Sequence, residues 1–440
     1  MASKKFGKGE ILAAFFDEGV YTQIFAAGAV SAAYGSANGQ PVYAVFQSGE
    51  PLAVEDLETQ IRALELAAKT GSPVVTFYDA PGAKLGQDLH ILTASARLAD
   101  TVAQLSGVIP QVAVVHGVCG ATAALAAASA DVCIMAEQGE LFFTPPFVSA
   151  AHGDKLEQAG SAGFAAKAGV AAMVCADAVK AAGAAAHLVG LLPANNLAGP
   201  ALFDFEAPTV AFPAPFKPAA AVEALADQGS LLPLFAGFAA DSVTALGTVN
   251  GAAVGFVAPG EELCRDQVAK ISRFVRFCDA FSVPVVTVVD CGGFATSVHE
   301  DMAGGIRQAA RLAATYADAT TAKVAVAAGR VIGPVYTALA NADLTIAVQG
   351  CTIAPVAPEV AASVLYQEEL NASDNVAQAT RAKAAEYAAQ VCSASAAAAA
   401  GAADLVADAS GVRGAVDAAL EMLASKRSQR LPKKHGNMAL

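Results

Sequence analysis

The feature that most constrains this chain is an internal repeat. FDEGVYTQIF near the start resembles ADQGSLLPLF in the middle, SAAYGSANGQPVYAVF resembles VTALGTVNGAAVGFV, and PVVTFYDAPGA resembles PVVTVVDCGGF. PQVAVVHGVCGATAALAAASADVCIMA likewise resembles AKVAVAAGRVIGPVYTALANADLTIAV. The register hardly drifts: Asn38 to Asn250 is 212 residues, Asp79 to Asp290 is 211, Gly117 to Gly329 is 212 and Asp131 to Asp343 is 212. Chance likeness between alanine-rich segments does not hold a register across so many separate landmarks. The chain is therefore read as two tandem copies of a unit of about 200 residues, the size of one folding domain.

Both copies read alike. An Asn-Gly pair (Asn38-Gly39; Asn250-Gly251) predicts a tight hairpin. A helix follows, with Ile61, Leu64 and Ala68 on one face of the first copy and Val268, Ile271, Val275 and Cys278 on one face of the second. An apolar strand comes next, Val74 to Tyr78 or Val285 to Val289, and ends in Asp. Further strands are predicted at Val112 to Val115 and Val324 to Ala327, each followed by a glycine-bearing turn and a helix, then at Val132 to Ala136 and Leu344 to Val348. Continuous apolar strands alternating with helices indicate an α/β fold whose sheets are covered on both faces. Proline density in FDFEAPTVAFPAPFKPA places the boundary between copies there. The expected division is residues 1–205, a linker at 206–219, and residues 220–440.

Composition narrows the function classes. A net charge of −13 argues against a nucleic-acid binder, whose footprint is a basic face, but not against an anionic ligand held by a few local donors. The uncharged stretches Gly19 to Gly49 and Thr101 to Ala130 are broken by Gly, Pro, Asn and Gln, so they read as strands, turns and buried helix rather than membrane spans. With no secretory signal at the N-terminus and eight cysteines lacking any C-x-x-C pair, the expected setting is the reducing cytoplasm, without membrane insertion. The basic tail KRSQRLPKKHGNMAL is expected to be a solvated terminus, and the alanine run Ala396 to Ala400 a helix in a surface or subunit contact.

The element with most chemical content is strand, glycine turn, helix: VVHGVCGATAALAAA and VAAGRVIGPVYTALA. Backbone N–H groups at a helix start lack intrahelical acceptors and have the helix dipole behind them, so they can stabilise an oxygen that gains negative charge. By itself such a turn is more often a tight connection. No G-x-S-x-G, H-E-x-x-H, Walker loop or dinucleotide fingerprint is present. His116 and His299 read as structural histidines, one at a strand end and the other in a polar loop.

Taken in order, these segments resemble the biotin-dependent acyl-CoA carboxyltransferases, the family of propionyl-CoA carboxylase beta chains and methylmalonyl-CoA decarboxylase alpha chains. ISRFVRFCDAFSVPVVTVVDCGGF is similar to the family's second-lobe helix and strand, and SGVIPQVAVVHGVCGATAALAAASADVCIM to its first-lobe turn. LFFTPPFV, LLPANN and the terminal KKHGNMAL resemble further family motifs. The resemblance implies two tandem crotonase-like (ClpP/crotonase) ββα spiral lobes. It also implies transfer of a carboxyl group between N1′ of biotin, carried on a biotin carboxyl carrier partner, and the α-carbon of a short acyl-CoA. Homo- or hetero-oligomers and no metal are implied as well.

By the same resemblance, the backbone N–H groups of Ala121 and Thr122 would hold the thioester enolate, and Gly333 and Val335 the ureido oxygen of biotin. Gly82, Ala83, Gly120, Gly293, Phe294, Tyr336 and Thr337 would bind substrate. Several positions depart from the family pattern. Ala121 and Thr122 stand for Gly-Gly, Gly333-Pro334-Val335 for Gly-Gly-Ala, and Lys84 for an arginine. Proline has no N–H, so a non-catalytic subunit paired with an active paralogue is the second reading. A crotonase-like hydratase or isomerase is the third; it needs carboxylates beside the thioester, and Glu137 and Glu140 lie far along the chain from the turn.

Overall fold

The structure, a computed structural model, describes residues 6–86, 89–145, 148, 159–428 and 430–437. Two compact units form, Met1–Ala201 with Leu234–Phe238, and Leu202–Pro233 with Ala239–Leu440.

In chain order the first unit contains α1 (Lys8–Phe15), β1 (Tyr21–Ala27), β2 (Val30–Ala37), β3 (Gln40–Gln47), α2 (Val54–Thr70), β4 (Val74–Ala80) and α3 (His90–Leu105). It continues with β5 (Gln111–Gly120), α4 (Thr122–Ser129), β6 (Val132–Ala136), β7 (Glu140–Phe142), α5 (Ala162–Lys167), β8 (Met173–Cys175) and α6 (Ala178–Leu191). Its sheet runs β1-β2-β3-β4-β5-β6-β8, with β7 added to β5. β1 to β3 are antiparallel and the rest parallel. Asn38 and Gly39 both take positive φ, 51° and 79°, the backbone a two-residue hairpin needs. Asp17 caps that turn, accepting from the N–H groups of Asn38 (2.8 Å) and Gly39 (2.9 Å). Every residue of β4 is buried, as an apolar strand covered on both faces should be. Leu57, Ile61 and Leu64 of α2 enter the core beside it.

The second unit contains α7 (Pro218–Leu225), β9 (Leu232–Pro233), β10 (Val243–Val249), β11 (Ala252–Ala258), β12 (Glu262–Leu263), α8 (Arg265–Ala280), β13 (Val285–Cys291), β14 (Gly293–Phe294), α9 (Val298–Met302) and α10 (Gly305–Asp318). Then come β15 (Lys323–Ile332), α11 (Pro334–Leu339), β16 (Leu344–Val348), β17 (Thr352–Ala354), α12 (Pro358–Leu365), α13 (Gln367–Asn371), α14 (Val376–Val391), α15 (Ala394–Ala399), β18 (Leu405–Ala407) and α16 (Val412–Leu423). Its sheet, β9-β10-β11-β13-β15-β16-β18 with β17 added to β15, repeats the first strand for strand. The Asn250-Gly251 turn (φ 48° and 78°) is capped by Asp227 as the first is by Asp17. The α8 stripe Val268, Ile271, Val275 and Cys278 is buried throughout.

The proline-rich stretch 206–219 has little regular structure, and its Phe212 and Phe216 pack on the second unit's core. The described residues of the basic tail from Arg427 on are exposed, as expected of a solvated terminus, but two of them are tethered: Arg430 pairs with Asp279 of α8 and Lys433 with Asp318 of α10, at 2.8 and 2.7 Å. His299 lies on the short helix α9, not in a loop. Among the described residues, no helix is long and apolar enough to cross a membrane.

Candidate active site: two strand-to-helix turns of one design

The glycines expected in a turn after Val115 lie inside β5, which continues to Gly120. The extra length is accommodated by a slip in register: Tyr78 faces Val115, but Ala80 faces Cys119. The upper half of β5 then pairs with β7, Val118 with Glu140 and Gly120 with Phe142. The change of direction takes one residue, Ala121, at φ 53° and ψ −125°. The N–H of Ala121 already donates to the Phe142 carbonyl at 3.0 Å, and Ala124 donates to the Ala121 carbonyl. Ala121 therefore shapes the turn, and the expectation that its own N–H serves as an open donor needs correcting. The open donors of a helix start fall one residue on, at Thr122 and Ala123, the first two positions of α4. Thr122 is exposed, with its hydroxyl 3.5 Å from that of Ser95.

Gly120 leaves no room for a side chain, since a Cβ there would meet the Pro81 carbonyl oxygen at 2.7 Å. That contact brings the Gly82-Ala83 loop beside the turn. Leu52 fastens the loop, its N–H donating to Gly82 and its carbonyl accepting from Lys84, at 2.9 and 2.7 Å. Lys84 itself is exposed.

The second unit repeats the arrangement. Val289 faces Ala327, then Cys291 faces Val331, the same slip between β13 and β15. Gly333 turns the chain at φ 52° and ψ −118°, and its N–H donates to Ala354 at 2.8 Å. A Cβ on Gly333 would meet the Pro355 carbonyl oxygen at 2.7 Å. Pro334, the first residue of α11, has no N–H, so the first donor of that helix is Val335, a residue with no exposed surface. Phe294, Gly333, Tyr336 and Thr337 line a largely apolar cavity of about 820 Å³. Gly293 and Val335 are not on its wall; Gly293 is held in the β12–β14 pairing. Tyr336 donates its hydroxyl to the Ala402 carbonyl at 2.9 Å.

Sequence reasoning missed the role of the alanine run. Ala396, Ala397 and Ala400 form a wall of this cavity, and only their shared small size hinted at close packing.

Neither turn carries a nucleophile. Burial pushes the Cys119 thiol well up, and burial raises Cys291 to about 11, so both stay protonated at neutral pH. His116, half-buried, stacks on Phe46 at 5.0 Å. Glu140 sits on β7 opposite Val118, and Glu137 donates its N–H to Cys175. Among the described residues no cluster of His, Cys, Asp and Glu could hold a metal. What the turns offer is backbone N–H groups at helix starts.

The chain is 31% identical over 431 residues to the methylmalonyl-CoA carboxyltransferase 12S subunit of Propionibacterium freudenreichii subsp. shermanii, covering 92% of this chain and 82% of that one. It is 29% identical to methylmalonyl-CoA decarboxylase subunit alpha of Veillonella parvula, over 92% of this chain and 84% of that one. Among solved structures it matches transcarboxylase 12S, crystallised as a hexamer assembly with methylmalonyl-coenzyme A and methylmalonic acid bound. That match has a TM-score of 0.90 and 28% identity, over 98% of this chain and 92% of that one. The profile of the carboxyl transferase domain matches residues 5–438, and the chain belongs to the carboxyl transferase family.

Proposed function

We propose that this chain is a cytoplasmic carboxyltransferase subunit that moves a carboxyl group between carboxybiotin on a biotin carboxyl carrier and the α-carbon of a short acyl-CoA. The direction is that of an acyl-CoA carboxylase or of a decarboxylase complex. The observation that carries the proposal is the pair of turns with one backbone geometry, Ala121 at φ 53° and Gly333 at φ 52°, each opening a helix. A reaction through two enolate-like oxygens needs two such sites and no side-chain nucleophile.

At the first turn, the N–H groups of Thr122 and Ala123 donate to the thioester oxygen as negative charge develops on it. Gly120, closed over by the Pro81 carbonyl, keeps the loop of Gly82 and Ala83 against the turn, and Gly82, with open space where a Cβ would stand, would let the thioester approach the backbone closely. At the second turn, the apolar cavity of about 820 Å³ is wide enough for a small bicyclic ring. Phe294, Tyr336 and Thr337 would hold that ring beside Gly333, whose turn opens the helix that begins with Pro334 and Val335. When bound, biotin supplies the nitrogen that carries and releases the carboxyl group. The chain works as an oligomer, at least a dimer, as the hexameric relative supports.

Calorimetric titration with propionyl-CoA and with an analogue lacking the thioester carbonyl tests this reading. The thioester should bind more tightly. Equal affinity, or no heat with either, would remove the first turn as an oxyanion site. A second reading, a non-catalytic subunit beside an active paralogue, is favoured by the donor missing at Pro334.

A further inference from the structure

Each turn is preceded by an aspartate whose carboxylate fills the register slip beneath it. In the first unit Asp79, 8% exposed, accepts the N–H of Val118 at 3.0 Å. In the second, Asp290 accepts the N–H of Arg330 at 2.8 Å. Both lie where the slip occurs, between Tyr78 and Ala80 and between Val289 and Cys291. Both carboxylates press on a glycine of the neighbouring strand, for a Cβ on Gly117 would collide with Asp79 and one on Gly329 with Asp290. The second copy adds a strap, with Arg330 bonding Asp290 through Nε at 3.2 Å and Glu261 through Nη2 at 3.0 Å.

A strand that carries extra residues against its partner leaves backbone donors without a ladder acceptor. A fully buried N–H left so costs about 1–3 kcal/mol, and the cost is smaller at the partly buried Val118 and smaller still at the exposed Arg330. The carboxylate supplies the acceptor and fixes how far the upper strand is displaced. Val118 lies four residues before Thr122, and Arg330 five before Val335, with only the upper strand and the one-residue turn between. The height of the carboxylate therefore sets where the helix-start N–H groups point.

We propose that Asp79 and Asp290 are positioning residues for the two oxyanion sites, Asp79 aiming Thr122 and Ala123 and Asp290 aiming Val335. The proposal rests on the carboxyltransferase reading for the ligands but not for the geometry. Each acts through the strand it pins, and Asp79 also lines a cavity of about 910 Å³ together with Gly117 and Val118. The same carboxylate, glycine and slip occur in both copies although the residues that donate the N–H differ, Val118 and Arg330, so the device follows the turn and not the local side chains.

Two measurements test it on the full chain, with Asp79→Ala, Asp79→Asn and Asp290→Ala. Amide hydrogen exchange needs no ligand. Asp79→Ala should speed exchange at residues 118–123 by at least about tenfold, as a local opening of lowered cost requires. Asp79→Asn keeps an oxygen for the Val118 N–H and should restore the slow pattern, while Asp290→Ala should loosen 330–335 and leave 118–123 unchanged. Infrared spectra of bound propionyl-CoA labelled at the thioester carbonyl give the functional arm. The stretch should fall on binding to the native chain and to Asp79→Asn and Asp290→Ala, and return toward its solution value in Asp79→Ala. Unchanged exchange in a folded Asp79→Ala overturns the proposal, as does an unchanged carbonyl shift. If Asp79→Ala does not fold, Asp290→Ala, whose side chain is partly exposed, decides by the exchange at 330–335. If the native chain binds no propionyl-CoA, the functional reading fails, and hydrogen exchange alone decides the positioning.

Discussion

Ala121 holds a backbone conformation that its counterpart Gly333 adopts without penalty. A non-glycine residue there stores about 1–3 kcal/mol of strain. Ala121→Gly is expected to stabilise the protein by about 1 kcal/mol, the low end of that range because glycine also loosens the unfolded chain. Chemical denaturation, read as a shift in midpoint, checks this. The same comparison yields a reciprocal pair of variants. Pro334→Gly gives the second turn the donor it lacks and is expected to raise carboxyl exchange at least about tenfold. Ala121→Gly with Thr122→Pro copies the Gly-Pro of the second turn into the first and is expected to lower exchange by about 10²-fold relative to Ala121→Gly alone. No change in either direction would mean that the charge is held elsewhere. The paired positions of Ala121 and Gly333 were legible from the constant offset. That the Ala121 N–H goes to Phe142 was not, because that bond joins the turn to a residue 21 positions on, and nothing local in the sequence marks the pairing.

At the scale of elements, the hairpins, the helix faces and the central strands were legible because each has a local physical signature. Asn-Gly specifies positive φ, and the buried stripes of α2 and α8 follow helical spacing. The lengths of β5 and β15 were not legible, since their upper halves are held by β7 and β17 and by carboxylates from other strands. Tertiary contact likewise recruits the alanine helix α15 to a cavity wall and ties down the basic tail. The caps of the hairpins give a test. Burial raises the Asp227 carboxyl, but the Thr248 hydroxyl, the Gly251 N–H, Arg413 and the Asn250 N–H outweigh it and hold the group below the usual carboxylate range. A depressed folded pKa means that the stability is present above the unfolded value near 3.9 and is lost as pH falls through the lower folded value. Thermal melts from pH 7 to about 2 should thus show acid lability that is reduced in Asp227→Asn. Asp227→Ala should cost about 3 kcal/mol at neutral pH, because it leaves Arg413, 21% exposed, without its carboxylate.

The whole molecule is two units with the same strand order, each carrying one turn built on the same slip. Duplication gives the chain two turns of one geometry, the two sites that the proposed reaction needs, and lets one turn change, as at Pro334, without a matching change in the other. The chain carries a net charge of −13, which keeps non-specific anion binding low and leaves recognition to local donors. Light scattering at micromolar concentration should report at least a dimer, and a monomer would count against the proposed assembly. The central claim is that carboxyl moves through these two turns. It is tested by incubating the full chain with a carrier bearing isotopically labelled carboxybiotin and a panel of acyl-CoAs, and following label into the acyl-CoA pool. Transfer to short acyl-CoAs, lost in Ala121→Gly with Thr122→Pro and raised in Pro334→Gly, is the predicted result. No transfer to any acyl-CoA by the folded native chain and by Pro334→Gly would contradict it and leave the chain a non-catalytic member of its family.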